Sequence, residues 1–330
     1  MRIGVFMVLF QGLPFEQALD RAVKAGVSAV EIGAGGLTGN AHCPREALLA
    51  SAERRDEYRE ALQRRGLILS ALCCQCEPLH PNPAVAQEAD KFFRETVQLA
   101  SLLGVPVVTS LSGAPAGAPG DTSPNWVTCP WPPYFLKILD YQWNQVGIPY
   151  WREAARFAAD HGVKIACEMH PGMLIYNVES LLRMREAAGP AFGCNFDPSH
   201  LFWNGVDITA AIRQLGDCIF HVHGKDCYVD QLNIAVNGCN DPKPYDQVLR
   251  RAWTFRTLGY GHDSKTWKDI VSTLRAVGYD YVISIEHEDA LMSVAEGLSK
   301  AVALLREVLI AEAPGPMYWA GGRSSSQFQP

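Results

Sequence analysis

No apolar run in this chain of 330 residues approaches the ~18 needed to cross a bilayer, so a spanning helix is not expected. Basic clusters are missing too. Lys and Arg total 29 against 35 Asp and Glu, a formal charge of -6 with no basic stripe. That argues against nucleic acid as a partner, because neutralising phosphates takes clustered Lys and Arg. No GxGxxG follows the first strand-like run, where Val8-Leu9-Phe10-Gln11-Gly12 stands instead, and no P-loop occurs elsewhere. The start, MRIGVFMVLFQG, has an apolar stretch after one Arg but no small-x-small cleavage site, so it reads as a first strand of a cytoplasmic protein. The chain has ten cysteines, yet no pair of Cys-x-x-Cys motifs. The trio Cys73, Cys74 and Cys76 lacks the spacing of a zinc knuckle, and reduced core cysteines are expected throughout.

What is present is alternation. Short Val- and Ile-rich runs are expected as strands at Ile3–Leu9, Ala29–Ile32, Leu67–Cys74, Pro106–Ser112, Lys164–His170, Phe192–Asp197, Cys218–His223 and Tyr281–Glu286. Between them lie segments of helical period: Phe15–Ala25, Pro44–Arg65, Pro83–Leu103, Ile148–His161, Val178–Ala188 and Ser264–Val277, with Ser293–Ala311 last. Several stop at a glycine suited to the residue after a helix, among them Gly26 and Gly104. Near-continuous apolar strands alternating with helices imply parallel strands covered on their outer face. A closed (β/α)8 barrel accounts for the count and leaves no sheet edge. One barrel domain is expected over residues 1–312, with a tail at 313–330. Two long interruptions, 113–147 and 227–262, leave the C-terminal ends of strands, where a barrel carries its active site. Their Trp, Tyr and Pro content suits ordered lids or subunit contacts.

Four successive strand ends carry acids or imidazoles: Glu168-Met169-His170, Asn195-Phe196-Asp197-Pro198-Ser199-His200, His221-Val222-His223-Gly224-Lys225-Asp226 and Glu286-His287-Glu288. One such ending is an ordinary polar turn; four at the same end of a barrel are not. Side chains alternate along a strand, so Glu168 pairs with His170, Asn195 with Asp197, His221 with His223 and Lys225, and Ser284 with Glu286 and Glu288. His287 then faces the helices. A Glu, an Asp, a His and a second Glu drawn from these four ends and converging at the mouth would bind a divalent cation. Three carboxylates and one imidazole favour Mn²⁺, with Mg²⁺ or Co²⁺ as alternatives. Without a cation the buried carboxylates would repel one another and be costly to desolvate.

These endings, E168-x-H170, D197-P-S-H200, H223-x-K225-D226 and S-I-E286, resemble those of the sugar phosphate isomerase/epimerase family of xylose isomerase-like barrels, which includes the ketose 3-epimerases and inosose dehydratase. The resemblance implies that Glu168, Asp197, His223 and Glu286 are metal ligands. It also implies that Glu168 and Glu286 form the catalytic acid/base pair and that His200 contacts a substrate oxygen. The reaction it implies is isomerisation or epimerisation of a sugar by proton abstraction beside a carbonyl, through a metal-stabilised enediolate. The same enolisation could instead expel a leaving group, making the protein a lyase, a dehydratase or a C-glycoside-cleaving subunit acting on a 3-keto sugar or glycoside. A non-catalytic metal-binding subunit is a further alternative. His170, Lys225, Arg256 and His42 are expected substrate contacts. Each has a structural reading beside it: His170 and His221 as supports for ligands, Lys225 and Asp226 as an ion pair, Arg256 as a loop anchor. With no basic phosphate site in view, an unphosphorylated sugar or keto-glycoside is the expected small-molecule partner. The protein is expected to be a homo-oligomer, or to work with a second subunit.

Overall fold

The computed structural model describes residues 1–320; positions 321–330 of the expected tail lie outside the described residues. Ten strands form. β1 (Arg2–Phe6), β2 (Ala29–Gly36), β3 (Ile68–Gln75), β4 (Val107–Leu111), β5 (Lys164–Glu168), β6 (Phe192–Phe196) and β7 (Ile219–Gly224) precede β8 (Asp226–Val229), β9 (Trp253–Arg256) and β10 (Val282–Ile285). Seven of them, β1 to β7, close with β10 into an all-parallel barrel in the order β1-β10-β7-β6-β5-β4-β3-β2. The expected (β/α)8 architecture is therefore present. Every residue of β4, β6, β7 and β10 is buried, as strands covered on both faces require.

The helices Phe15–Ala25, Pro83–Leu103 and Val178–Ala188 start and stop where their period and caps place them. Gly26 and Gly104 take the left-handed conformation that ends the first two. Asn177 opens the third with a capping box to Ser180. Two expectations need correction. The long helix over Pro44–Arg65 is two, Arg45–Ala50 and Ala52–Gln63. Ser51 leaves the helical region at φ -130°, ψ 125°, and its hydroxyl accepts the Arg54 N–H to cap the second. The first strand ends at Phe6, and Met7–Phe10 turns as a 3-10 helix that tucks Met7 into the core. The short helices Ser199–Phe202 and Ile208–Leu215 link β6 to β7.

Both long interruptions are structured. Residues 113–147 contain the helix Tyr134–Asp140 and a wider turn at Tyr141–Gly147. Residues 227–262 carry most of an antiparallel hairpin, β8 with β9, whose Trp253 and Phe255 pack with Trp203, Cys227 and Ala252 into a small cluster of their own. All ten cysteines are unpaired and, apart from Cys129 and Cys239, buried. Among the described residues no helix is long and apolar enough to cross a membrane.

Candidate active site

The barrel register sets the site. Glu168, the last residue of β5, stands opposite Asn195 of β6; Asn195 stands opposite His221 of β7; and His223 stands opposite Ser284 of β10. Glu286 lies one residue past β10, yet its N–H still donates to the Gly224 carbonyl at 3.3 Å, so the ladder holds its side chain in the inward series with Ser284. Glu168, Asp197, His223 and Glu286 come together so closely that one ligand atom from each lies within 4.8 Å of all the others.

His223 joins the group. Its Nδ1 is 3.2 Å from Glu168 Oε2 and 3.2 Å from Glu286 Oε2, while its Nε2 is 2.9 Å from Glu31 Oε2. Glu31 is fully buried in β2, also accepts hydrogen bonds from Thr109 Oγ1 (2.7 Å) and Ser284 Oγ (3.0 Å), and was not expected in the site. Glu31 fixes His223 as the tautomer protonated on Nε2 whenever Nδ1 has to offer a lone pair. His221 stands edge-on to His223, with ring centroids 5.8 Å apart, but its hydrogen bonds go elsewhere. Its Nδ1 is 3.0 Å from Asn195 Oδ1 and its Nε2 3.3 Å from Ser70 Oγ, so it steadies Asn195, whose amide donates to Glu168 Oε2 at 3.0 Å.

Lys225 supplies the charge that sequence reasoning left open. Its ammonium is buried 2.7 Å from Glu286 Oε2, 3.0 Å from Asp197 Oδ2 and 3.0 Å from Glu288 Oε2, and it sits 4.6 Å above the Phe255 ring. It forms no ion pair with Asp226, because adjacent strand residues point to opposite sides. Asp226 instead accepts hydrogen bonds from the backbone N–H groups of Gly259, Gly261 and His262 and from the Trp267 indole.

Burial pushes the Glu286 carboxyl up, but the Lys225 ammonium and the His223 ring outweigh it and hold it down to about 2. For Glu168, burial is likewise overcome by hydrogen bonds from His200 and His223, leaving it well below the usual carboxylate range. Burial disfavours charge on His223, yet Glu31 and Glu286 raise it well above an ordinary histidine. Burial, reinforced by His200, lowers His170 to about 4.

His200 Nε2 lies 3.2 Å from Glu168 Oε1 and 3.4 Å from Asp197 Oδ2, and its ring is 4.3 Å from that of His170. Asp197 Oδ2 is buried between the Lys225 ammonium and the His200 ring, held by charge rather than by an aligned hydrogen bond. Three carboxylate oxygens and an imidazole nitrogen gathered within 4.8 Å of one another fit a hard divalent cation. Arg256 is committed to Asp289, with Nε 3.1 Å from Oδ2, and so anchors the loop after β10. His42 is buried with Nε2 3.0 Å from the Leu13 carbonyl, beside Phe15, and none of these contacts reaches the carboxylates.

Comparison with known proteins agrees with this fold. The sequence model of the xylose isomerase-like TIM barrel family matches residues 19–308. A Bacillus subtilis protein of undescribed activity, YfiH, is 41% identical over 300 residues, covering 90% of this chain and 96% of its own. Two solved structures share the fold. A probable 3-DHS dehydratase, AsbF, of Bacillus anthracis superposes with a TM-score of 0.65 at 16% identity, over 93% of this chain and 99% of its own. A D-tagatose 3-epimerase-like protein superposes with a TM-score of 0.62 at 20% identity, over 93% and 97%. A closed parallel barrel with its acids and imidazoles gathered at the strand ends, matched over nearly its whole length, belongs to the xylose isomerase-like TIM barrel family.

Proposed function

We propose that the protein is a divalent-metal-dependent sugar isomerase or epimerase that moves a proton on a carbon beside a carbonyl. The observation that carries this reading is the convergence of Glu168, Asp197, His223 and Glu286 within 4.8 Å, with His223 held from behind by Glu31. Those four residues would hold the cation, Mn²⁺ by preference, with Mg²⁺ or Co²⁺ able to replace it. When bound, the cation would supply a Lewis acid that polarises the carbonyl and offsets the charge developing on its oxygen.

The chain's own residues do the rest. Glu168 and Glu286 are held ionised by their surroundings and flank the site at the ends of β5 and β10, so one takes a proton and the other returns it. Lys225 keeps Glu286 anchored and, with His200, offers a donor to substrate oxygens. His170 is held neutral, with Nδ1 2.7 Å from the Pro171 carbonyl, and lines the cavity as a substrate contact. Arg256 and His42 are not assigned to substrate, since Asp289 and Leu13 already hold them. A dehydratase outcome follows if the carbon next to the deprotonated one carries a leaving group, and the dehydratase barrel AsbF keeps that reading open as the second.

Incubation of ketoses and 3-keto sugars in D₂O with Mn²⁺ tests the proposal. Deuterium entering beside the carbonyl is the expected result, and the products separate epimerase from lyase. No exchange across the panel with metal bound would leave the barrel as a metal-stabilised binding subunit, whose partner would then be sought from the native host.

A further inference from the structure

Three of the ten cysteines fall in one short stretch, Cys73-Cys74-Gln75-Cys76, where β3 ends. Cys73 faces Glu31 and Thr109 inside the barrel. Alternation puts Cys74 and Cys76 on the other side, and both join the core between barrel and helices. Two residues along a strand separate Cα atoms by about 6.6–6.8 Å, the far edge of the window of about 4.4–6.8 Å that a disulfide spans. The chain does not stay extended here. The Cys76 N–H donates to the Cys74 carbonyl at 2.9 Å, a three-residue turn centred on Gln75 that draws its two ends together. Their sulfurs stand 3.6 Å apart. The turn is clamped: the Gln75 carbonyl accepts the Leu37 N–H at 2.7 Å, and Gly36 packs so closely that a Cβ there would lie 2.2 Å from that oxygen.

The surroundings divide the pair into a nucleophile and a proton holder. The contact with Cys76 outweighs burial and lowers the Cys74 thiol, and Thr96 and the Arg45 guanidinium add to it. The same contact, with burial, raises Cys76 well above an ordinary thiol. Beyond Cys74, the Cys76 sulfur reaches the Ala89 carbonyl at 3.4 Å. Arg45 is itself buried, with Nε 2.9 Å from Glu95 Oε2 and its guanidinium 4.3 Å over the Phe92 ring, so little water screens its charge from Cys74. A sulfur biased towards thiolate by a fixed cation, with a second sulfur within reach, is equipped to oxidise and not merely to pack.

We propose that Cys74 and Cys76 close into a reversible disulfide on exposure to a hydroperoxide. The Cys74 thiolate attacks one peroxide oxygen, the O–O bond breaks, and Cys74 becomes a sulfenic acid. The departing hydroxide takes the Cys76 proton and leaves as water. The Cys76 sulfur then attacks the Cys74 sulfur; the S–S bond forms, the S–O bond breaks, and the second hydroxide leaves as water with the proton that Cys74 first lost. Two sulfurs thus give two electrons to one peroxide, which becomes two waters. Hydrogen peroxide is little larger than water. It is admitted when the six-residue helix Arg45–Ala50, too short to hold by itself, opens beside the pair.

Treatment of the full-length protein with hydrogen peroxide, then unfolding in excess N-ethylmaleimide, tryptic digestion and mass spectrometry, tests the proposal. The tryptic peptide 66–91 contains Cys73, Cys74 and Cys76 and no other cysteine. It is expected to carry three labels from the reduced protein. From the oxidised protein it should carry one, on Cys73, and be lighter by two hydrogen atoms at the other two sulfurs. Reduced glutathione should restore all three. Cys73→Ala should leave the disulfide in place, whereas Cys74→Ala and Cys76→Ala should each abolish it. Thermal unfolding checks that each variant folds, and fragmentation of the wild-type peptide locates the bond even if one does not. Two or three labels after peroxide, or a surviving label on Cys74 or Cys76, would overturn the proposal. So would a cross-link to Cys43 in the peptide 25–45, or a bond that glutathione leaves closed.

Discussion

Replacing Glu286 by Gln separates the charge of this side chain from its shape. In the metal-free protein its carboxyl is lowered from 4.5 to about 2, chiefly because Lys225 and His223 outweigh its burial. A shift of that size corresponds to about 3 kcal/mol of stabilisation by the ionised form at neutral pH. A depressed carboxyl contributes stability above its unfolded value and loses it as pH falls through the folded one. The variant should therefore be weaker by up to about 3 kcal/mol at pH 7, about 4 °C in melting temperature for a chain of this length. The gap should narrow progressively below pH 4.5. At saturating Mn²⁺, which keeps lost occupancy from passing as lost chemistry, proton exchange should fall by about 10²- to 10⁴-fold. Glu288→Gln is the control. Its side chain is half-exposed and shares Lys225 at 3.0 Å, so a small loss of stability and a minor loss of exchange are expected. Thermal unfolding across pH and deuterium exchange by NMR read the two effects. If Glu288→Gln abolishes exchange while Glu286→Gln spares it, the assignment of roles around Lys225 is wrong.

Glu31→Gln should leave the fold intact and weaken Mn²⁺ binding by about 10- to 100-fold, because His223 loses the carboxylate that orients it; unchanged affinity in a metal titration would refute that role. Asp226→Ala should cost about 3–5 kcal/mol in urea unfolding, since several N–H donors lose a charged acceptor together. Burial lowers both His170 and His221 from 6.5 to about 4, so the unfolded chain binds their protons first and metal-free stability should fall as pH drops from 6.5 towards 4. His221→Gln should flatten that slope by about one proton, and an unchanged slope in urea midpoints against pH would count against a neutral His221.

The strand ends were legible because acids at the close of an apolar run are costly unless something gathers them. Parity grouped Glu168 with His170, Asn195 with Asp197, His221 with His223 and Ser284 with Glu286 and Glu288, and the family resemblance singled out Glu168, Asp197, His223 and Glu286 among them. The same rule separates Lys225 from Asp226, and an ion pair between them ran against it. Glu31 was not legible. It sits inside Ala29–Gly36 with apolar neighbours, and its partners Thr109, His223 and Ser284 come from strands remote in sequence, so nothing local marks it. The break at Ser51 could have been read from its side chain, a favoured helix opener that a continuous helical period concealed. Arg256 could be read either as a substrate contact or as a loop anchor, because Asp289, which holds it, lies beyond the next helix.

Asp226 has a meaning for how this barrel can change over time. Its carboxylate takes the N–H of Cys227, where the long excursion leaves the barrel, and those of Gly259, Gly261 and His262, where it returns. Both roots of the segment are thus stitched to one side chain, which points to the side of the strand opposite Lys225. Closing a flexible loop costs only about 0.6 kcal/mol more for each doubling of its length. The segment can therefore lengthen, shorten or be exchanged for another while its two roots stay where they are. Since Tyr245 and Trp253 ride on it and line the cleft with His170 and His200, a transplanted version should change what that cleft admits while the strand-end carboxylates stay as they are.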